Sequence, residues 1–446
     1  MSTTRIRSFA TLIIALALVV TACGDDDSAE TTGGDAGGDD DSAETTGGDA
    51  GGDDAGTRGA ITIWYSNNAA EIEWATAQID AWNADNPDEQ VSGQEIPAGE
   101  TSEAVIAASI TAGNTPCLIY NTAPAAVPSF QRQQGLVALD EFEDGREFVD
   151  TRTAEAVAQY ESPDGMLYQM PWKSNPVMIL YNKAIFTEAG LDPENPPLTT
   201  HEEFLATSRT IVESGAAQAA IYPSPESQFF QSWFDFYPWF AAETEGTQLV
   251  EDGAPQFNSP DGIAVAEVWR TMYDEALAPR EPFQGDSFNE GVSAMSSAGP
   301  WAVGVYTDID WGVVPPPTSS GPGESTFSDA KSVGLYTSCE NRATAWDFLK
   351  FTMSEEADRS LLELTGQMPL RTGLTEIYAD WFEANAQYQP FADEVGRAIE
   401  VPSVSNSVEV WQVFRDAWSA SVIFGQEEIE PAFQAAADRI QTLIYD

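Results

Sequence analysis

The residues of this chain that could do chemistry are indoles, amides and carboxylates. One histidine, His201, stands among 446 residues, and the three cysteines, Cys23, Cys117 and Cys339, lie far apart. The one histidine falls at a helix start, which gives a Ser-His-Asp centre no support, and a zinc site of ordinary ligand type needs more ligands than these, so no catalytic residue, no metal and no cofactor is assigned. No G-x-G-x-x-G, G-x-x-x-x-G-K-[ST] or G-x-S-x-G run occurs, which leaves phosphate-loop and hydrolase-elbow chemistry without support. Two of the many acids could still meet as a glycosidase pair. What remains is stacking and hydrogen bonding. Indole faces cover the C–H faces of sugar rings, while Asn, Gln, Asp and Arg satisfy hydroxyls that would be costly to bury unpaired. Trp172, Trp239 and Trp301 have Pro or Gly nearby, where a core tryptophan is less expected, and they are stacking candidates.

Such groups need a frame. Gly165 to Lys183 reads as two strand-like runs, Met166 to Met170 and Pro176 to Tyr181, joined through Pro171-Trp172-Lys173-Ser174-Asn175. Proline, polar residues and a lone indole predict an exposed crossing between two bodies there. Upstream, Ile61, Ile63 and Tyr65 alternate as a strand, and Ile72, Ala75, Ile79 and Trp82 follow at helical spacing to a stop at Asn86-Pro87. A second helix near Val105 to Ile110 precedes a strand at Pro116 to Tyr120. Strand alternating with helix predicts a largely parallel sheet covered by helices, an α/β fold. Ligands gather at the carboxyl ends of such strands, which puts Ser66 to Asn68 and Asn121 to Thr122 on one rim.

Further on, Thr200 and Glu203 have capping-box spacing, which predicts a surface helix start at His201. Phe229 to Phe240 holds eight aromatics in twelve residues. One helix face cannot bury them all, so at least one ring should reach a cleft. Ala298-Gly299-Pro300-Trp301 is a tight turn presenting an indole, and Trp311 to Val314 is a strand halted by Pro315 to Pro317, read as a second crossing. From Asn341 the pattern is mostly helical.

The formal charge is -53, with 19 basic against 72 acidic residues. Phosphate would be repelled, which argues against nucleic acid as a partner. Arg5 and Arg7 precede an apolar run, Phe9 to Val20, with the layout of a secretory signal. It ends Thr21-Ala22-Cys23-Gly24, which resembles a bacterial lipobox and implies cleavage before Cys23 and lipidation of that cysteine. Gly24 to Gly37 then repeats without change at Gly38 to Gly51. With no large apolar residue the segment is read as a disordered acidic tether. Cys117 and Cys339 could pair in an oxidising compartment or remain two buried thiols.

Four runs in order, PDGMLYQMPWKSNPVMILYNKAIFTEAGLD from Pro163, FNEGVSAMSSAGPW from Phe288, AWDFLKF from Ala345 and GQMPLR from Gly366, resemble the extracellular solute-binding proteins of carbohydrate ABC importers, the maltose-binding type. The resemblance spans about Ile61 to Ile444. It implies a periplasmic-binding-protein-like fold of type II, with two α/β lobes joined by hinge strands and closing on a ligand. The implied lobes are 60–170 plus 312–352 and 171–311 plus 353–446, after a signal peptide at 1–22 and a tether at 23–59. The implied ligand-binding set is Asn67, Asn68, Asn121, Thr122, Trp172, Trp233, Phe234, Asp235, Trp301, Arg371 and Trp411, with Trp239 added from the aromatic reading. Asn68 and Asn121 stand where maltose binders usually carry an acid and an aromatic, which argues against maltose itself. Both cysteines fall in the first lobe, which favours a disulfide. The implied function is capture of a sugar or oligosaccharide by a lipid-anchored, extracytoplasmic monomer that delivers it to the transmembrane permease subunits. A phosphorylated polyol on the same fold and a surface glycosidase are the alternatives.

Overall fold

The structure is a computed structural model describing residues 57–99 and 101–444. The expected signal peptide, Cys23 and nearly all of the tether lie outside the described residues. Before the first crossing come β1 (Ile61–Tyr65), β2 (Val91–Glu95), β3 (Leu118–Thr122) and β4 (Met170–Ser174). Next are β5 (Met178–Asn182), β6 (Ala219–Ile221), a hairpin of β7 (Val250–Glu251) and β8 (Ala254–Pro255), β9 (Ser293–Ala298) and β10 (Trp311–Val314). The last are β11 (Thr326–Phe327), β12 (Lys331–Leu335), β13 (Met368–Pro369) and β14 (Ala398–Ile399).

Two sheets carry the two lobes. One has the order β13-β4-β12-β3-β1-β2 and the other β10-β5-β9-β6, while β11 pairs with β14. In the first sheet β1, β2 and β3 are parallel, but β12 runs antiparallel to β3 and β4, and β13 antiparallel to β4. The expected largely parallel sheet is therefore mixed, because the chain returns from the second lobe into its middle.

Local chemistry explains the helices. Asn68 caps Ala69–Asp85, its side chain accepting from the Ala70 and Glu71 N–H groups, and Ser102–Ala112 ends at Gly113 with φ 67°, where glycine carries no Cβ penalty. The Thr200/Glu203 capping box opens helix His201–Ser214 as expected. His201 is not on the surface, however. It is buried, stacked on Trp239 at 5.7 Å, and burial holds its imidazole below the ordinary histidine value against the pull of Glu243.

The sheets also move the expected lobe limits. Pro171 to Ser174 is a fully buried strand of the first sheet, not an exposed crossing. Its polar side chains find partners instead of water: Lys173 Nζ donates to Glu71 Oε1 at 2.7 Å, and the Ser174 and Ser328 hydroxyls meet at 2.8 Å. The first crossing is thus the short run 175–177. β10 belongs to the second sheet, so the second crossing is 315–330, and helix Glu355–Thr365 with β13 belongs to the first lobe, where Leu361 and Leu370 join the core of Trp74, Tyr120 and Trp172. Cys117, just before β3, is disulfide-bonded to Cys339, beyond the end of β12.

Candidate ligand cleft

Strand direction fixes where the loops go. β4 is antiparallel to β12, which is antiparallel to β3, so β4 runs with β1 and β3. The carboxyl ends of β1, β3 and β4 and the starts of β12 and β13 therefore share one edge of the first sheet. In the second sheet Met178 opposes Ala298, and β6 runs parallel to β9. The start of β5 and the ends of β6, β9 and β10 then share one edge as well. Two crossings, 175–177 and 315–330, join these two edges. The edges therefore border the hinge, which is where two-lobed α/β receptors place a ligand.

The first edge is built on a buried polar network. Glu71, in the first turn of the helix after β1, receives Ser66 Oγ at 2.8 Å, Lys173 Nζ at 2.7 Å and Gln367 Nε2 at 2.8 Å. Burial opposes its ionisation, yet the Lys173 charge and these hydrogen bonds outweigh it and hold the carboxyl below its ordinary value. Gln367 Oε1 accepts from Asn175 at 3.0 Å, and Lys331 Nζ pairs with Asp329 at 2.5 Å. The rim loop, the crossing and the starts of β12 and β13 are thus locked together below the edge. Asn67 and Asn68 are exposed above it. Asn121 takes φ 64°, a left-handed conformation that asparagine tolerates, and is half-buried, while Thr122 is fully buried.

The second edge is aromatic. Trp301 and Phe234 are half-buried rings with centroids 6.3 Å apart, edge to face. Beside Phe234 a pocket of about 120 Å³ is lined by Tyr222, Ser224, Gln231, Ser296 and Ser297 among others. Trp233 is buried but lines the seam between the lobes with Ala123, Pro124 and Ala125 from the loop after β3. Two roomier hollows, of about 560 and 800 Å³, have no aromatic lining residue.

Several expected ligand contacts are core residues. Trp172 lies between Trp74 at 5.1 Å and Tyr120 at 5.3 Å, with 1% exposure, so it cannot stack on a ligand. Trp239 packs on Phe204 and Trp269, and Trp411 is buried in the same second-lobe core. Asp235 is buried and paired with Arg415 at 2.9 Å, although it also lines the pocket beside Phe234. Arg371 binds Asp358 at 2.6 Å and lines a hollow with Thr372 and Gly373, away from the edges. Each sits where apolar surface or an opposite charge compensates its burial, which is stronger than the pull of a loop position. The structure brings together Trp301, Phe234 and the unforeseen Tyr222, Ser224, Gln231, Ser296 and Ser297. The strand-end rule applied to Ile221 would have found Tyr222 and Ser224.

Three cations beside the cleft are committed to partners. Lys173 holds Glu71, Lys331 holds Asp329 and Arg415 holds Asp235. Beside these pairs the edges carry rings, hydroxyls and amides.

A family model described as bacterial extracellular solute-binding protein matches residues 77–390. The diacetylchitobiose binding protein DasA of Streptomyces coelicolor is 23% identical over 273 residues, covering 57% of this chain and 61% of that protein. The sn-glycerol-3-phosphate-binding periplasmic protein UgpB of Rhizobium meliloti is 24% identical over 307 residues, 64% of this chain and 69% of that one. Among solved structures, the cyclic alpha-maltosyl-1,6-maltose binding protein from Arthrobacter globiformis superposes with a TM-score of 0.74 at 20% identity, over 87% of this chain and 99% of that chain. This likeness shows the fold.

Proposed function

We propose, for a chain that belongs to the bacterial extracellular solute-binding proteins, that the two facing edges close on a saccharide and present it to an ABC permease. The observation that carries this reading is the pairing of the half-buried rings Trp301 and Phe234 with a pocket of hydroxyls and amides. A pyranose offers alternating apolar faces and hydroxyl edges, which is what such a surface complements. Differential affinity for the closed arrangement drives the hinge, and no bond is made or broken. The chain sits outside the cytoplasmic membrane as a monomer, held by lipid on Cys23 through the acidic tether. The exposed amides Asn67 and Asn68, with Asn121, contribute from the first lobe.

The names of several relatives point to a phosphorylated polyol instead. That reading needs a cation facing the ligand, and Lys173, Lys331 and Arg415 are all held by carboxylates. A glycosidase would need two free acids facing each other, whereas Glu71, Asp329 and Asp235 are tied to those same cations. Thermal-shift titration of the purified chain with mono- and oligosaccharides, and with glycerol phosphate, tests the proposal. A rise in melting temperature with a saccharide is expected; stabilisation by glycerol phosphate alone would refute it.

A further inference from the structure

The loop Tyr222–Gln228, which follows β6 at the cleft edge, contains no helix or strand. Its peptide groups make no backbone-to-backbone hydrogen bond among themselves, and among the described residues the one such bond it joins is at its end, where Gln228 O accepts from Gln231 N. Three of its carbonyls are held from behind by one helix, Ser407–Trp418. Arg415 Nε donates to Glu226 O at 3.0 Å, and Nη2 donates to Ser224 O at 2.9 Å and to Glu226 O at 2.7 Å. Gln412 Nε2 donates to Ser227 O at 2.8 Å. Arg415 is fully buried. Its remaining face is fixed by Asp235, whose Oδ2 accepts from Nη1 at 2.9 Å and from Trp418 Nε1 at 3.1 Å, and whose Oδ1 accepts from the Phe236 N–H at 2.6 Å. The guanidinium plane is therefore set by Asp235 and Trp418, and it in turn sets the carbonyls of the loop. The other side of the same segment, Tyr222 to Ser224, lines the pocket together with Gln231, Phe234 and Asp235.

We propose that Arg415 is a positioning residue that determines which saccharides the cleft accepts, by holding the Tyr222–Gln228 loop in one shape before ligand arrives. This rests on the saccharide reading of the cleft. Arg415 is sealed behind the loop and is not itself a contact. Its action is preorganisation: a wall already ordered does not have to be ordered at binding, and a wall of one shape discriminates between ligands. Lysine cannot replace the fork, because a single ammonium near Asp235 cannot also reach the spread carbonyls of Ser224 and Glu226.

The test uses the full chain as wild type, Arg415→Lys and Gln412→Ala. Arg415→Lys keeps a positive charge for Asp235. Gln412→Ala removes the Ser227 carbonyl bond, and with it a bond to Asp416 on the same helix, from a half-buried position, and leaves the Arg415–Asp235 pair intact. Hydrogen exchange of 222–228 and affinities for a panel of mono-, di- and trisaccharides are measured. Arg415→Lys is expected to speed exchange of the loop, weaken the best ligand by tenfold or more, and compress the affinity ratios across the panel. Gln412→Ala should do the same at about threefold. A change that is equal for every saccharide, with the ratios intact, marks a merely structural role and overturns the proposal. So do wild-type affinities in both variants despite faster loop exchange. A wild-type chain that binds no saccharide in the panel refutes the underlying reading and the selectivity role with it.

Discussion

Glu400 offers the sharpest quantitative test of the fold. It follows β14 and is buried at the seam between the lobes. Its Oε1 accepts from Tyr160 Oη of the first lobe at 2.8 Å, while its backbone carbonyl accepts from Tyr237 Oη of the second at 2.7 Å. Burial pushes this carboxyl up from 4.5 to about 8, and Asp329 adds to the rise, while the Tyr160 hydrogen bond and the Lys331 charge oppose it. The folded chain therefore holds a proton here between about pH 4.5 and 8 that the unfolded chain has released. The contribution of Glu400 to stability therefore falls as pH rises through that window. At about 1.4 kcal/mol per pH unit, Glu400 costs roughly 3 kcal/mol at pH 7 and roughly 4 kcal/mol at pH 8, relative to its effect at pH 4. Glu400→Gln keeps an acceptor for Tyr160 and never ionises. Urea unfolding of both proteins from pH 4.5 to 8 reads the difference directly, because every other titrating group is common to both. The variant should lie within about 1 kcal/mol of wild type at pH 4.5 to 5 and exceed it by roughly 3 kcal/mol at pH 7. Parallel stability curves across the window would refute the reasoning.

Other outcomes follow from the same structure. Replacing Cys117 and Cys339 together by serine opens a link across 222 residues and should lower unfolding free energy by about 2–4 kcal/mol; unchanged denaturant midpoints would contradict this. His201, the one histidine of the chain, is depressed by burial, so its proton NMR titration should fall below 6.5, and acidification through that range should destabilise the fold; a midpoint at or above 6.5 would show it is not buried as described. Glu71→Gln leaves Lys173 buried without its carboxylate and should cost about 3–5 kcal/mol, whereas Glu71→Leu combined with Lys173→Met should cost far less; equal losses by thermal melts would argue against a coupled pair. Trp301→Ala should weaken saccharide binding by about 1–3 kcal/mol by isothermal titration while leaving the melting temperature of the free protein nearly unchanged, since its ring is only half-buried.

Legibility tracked the range of the interaction. β1, the Asn68-capped helix and the Thr200 box are written within a few residues of one another, and sequence patterning finds them. β2 was not foreseen, because Val91-Ser92-Gly93-Gln94-Glu95 has one apolar residue and its stability comes from pairing with β1. Pro171 to Ser174 reads as exposed because its polar groups have no local partner; Glu71 is 102 residues away from Lys173 and Ser328 154 from Ser174. The same distance hid Arg415, which meets Asp235 across 180 residues. Trp172, Trp239 and Trp411 were drawn toward the ligand by nearby prolines or by resemblance, but each is buried in a lobe core. Trp301 is half-buried on the cleft edge because it stands in the turn right after β9.

The Cys117–Cys339 bond sits beyond the start of β3 and the end of β12, at the side of the first sheet opposite the cleft. Its two thiols are committed to each other, so a cysteine installed at exposed Asn67 would be the one reactive sulfur among the described residues. An environment-sensitive dye placed there would turn lobe closure into an optical signal, while the covalent tie keeps the labelled lobe in register.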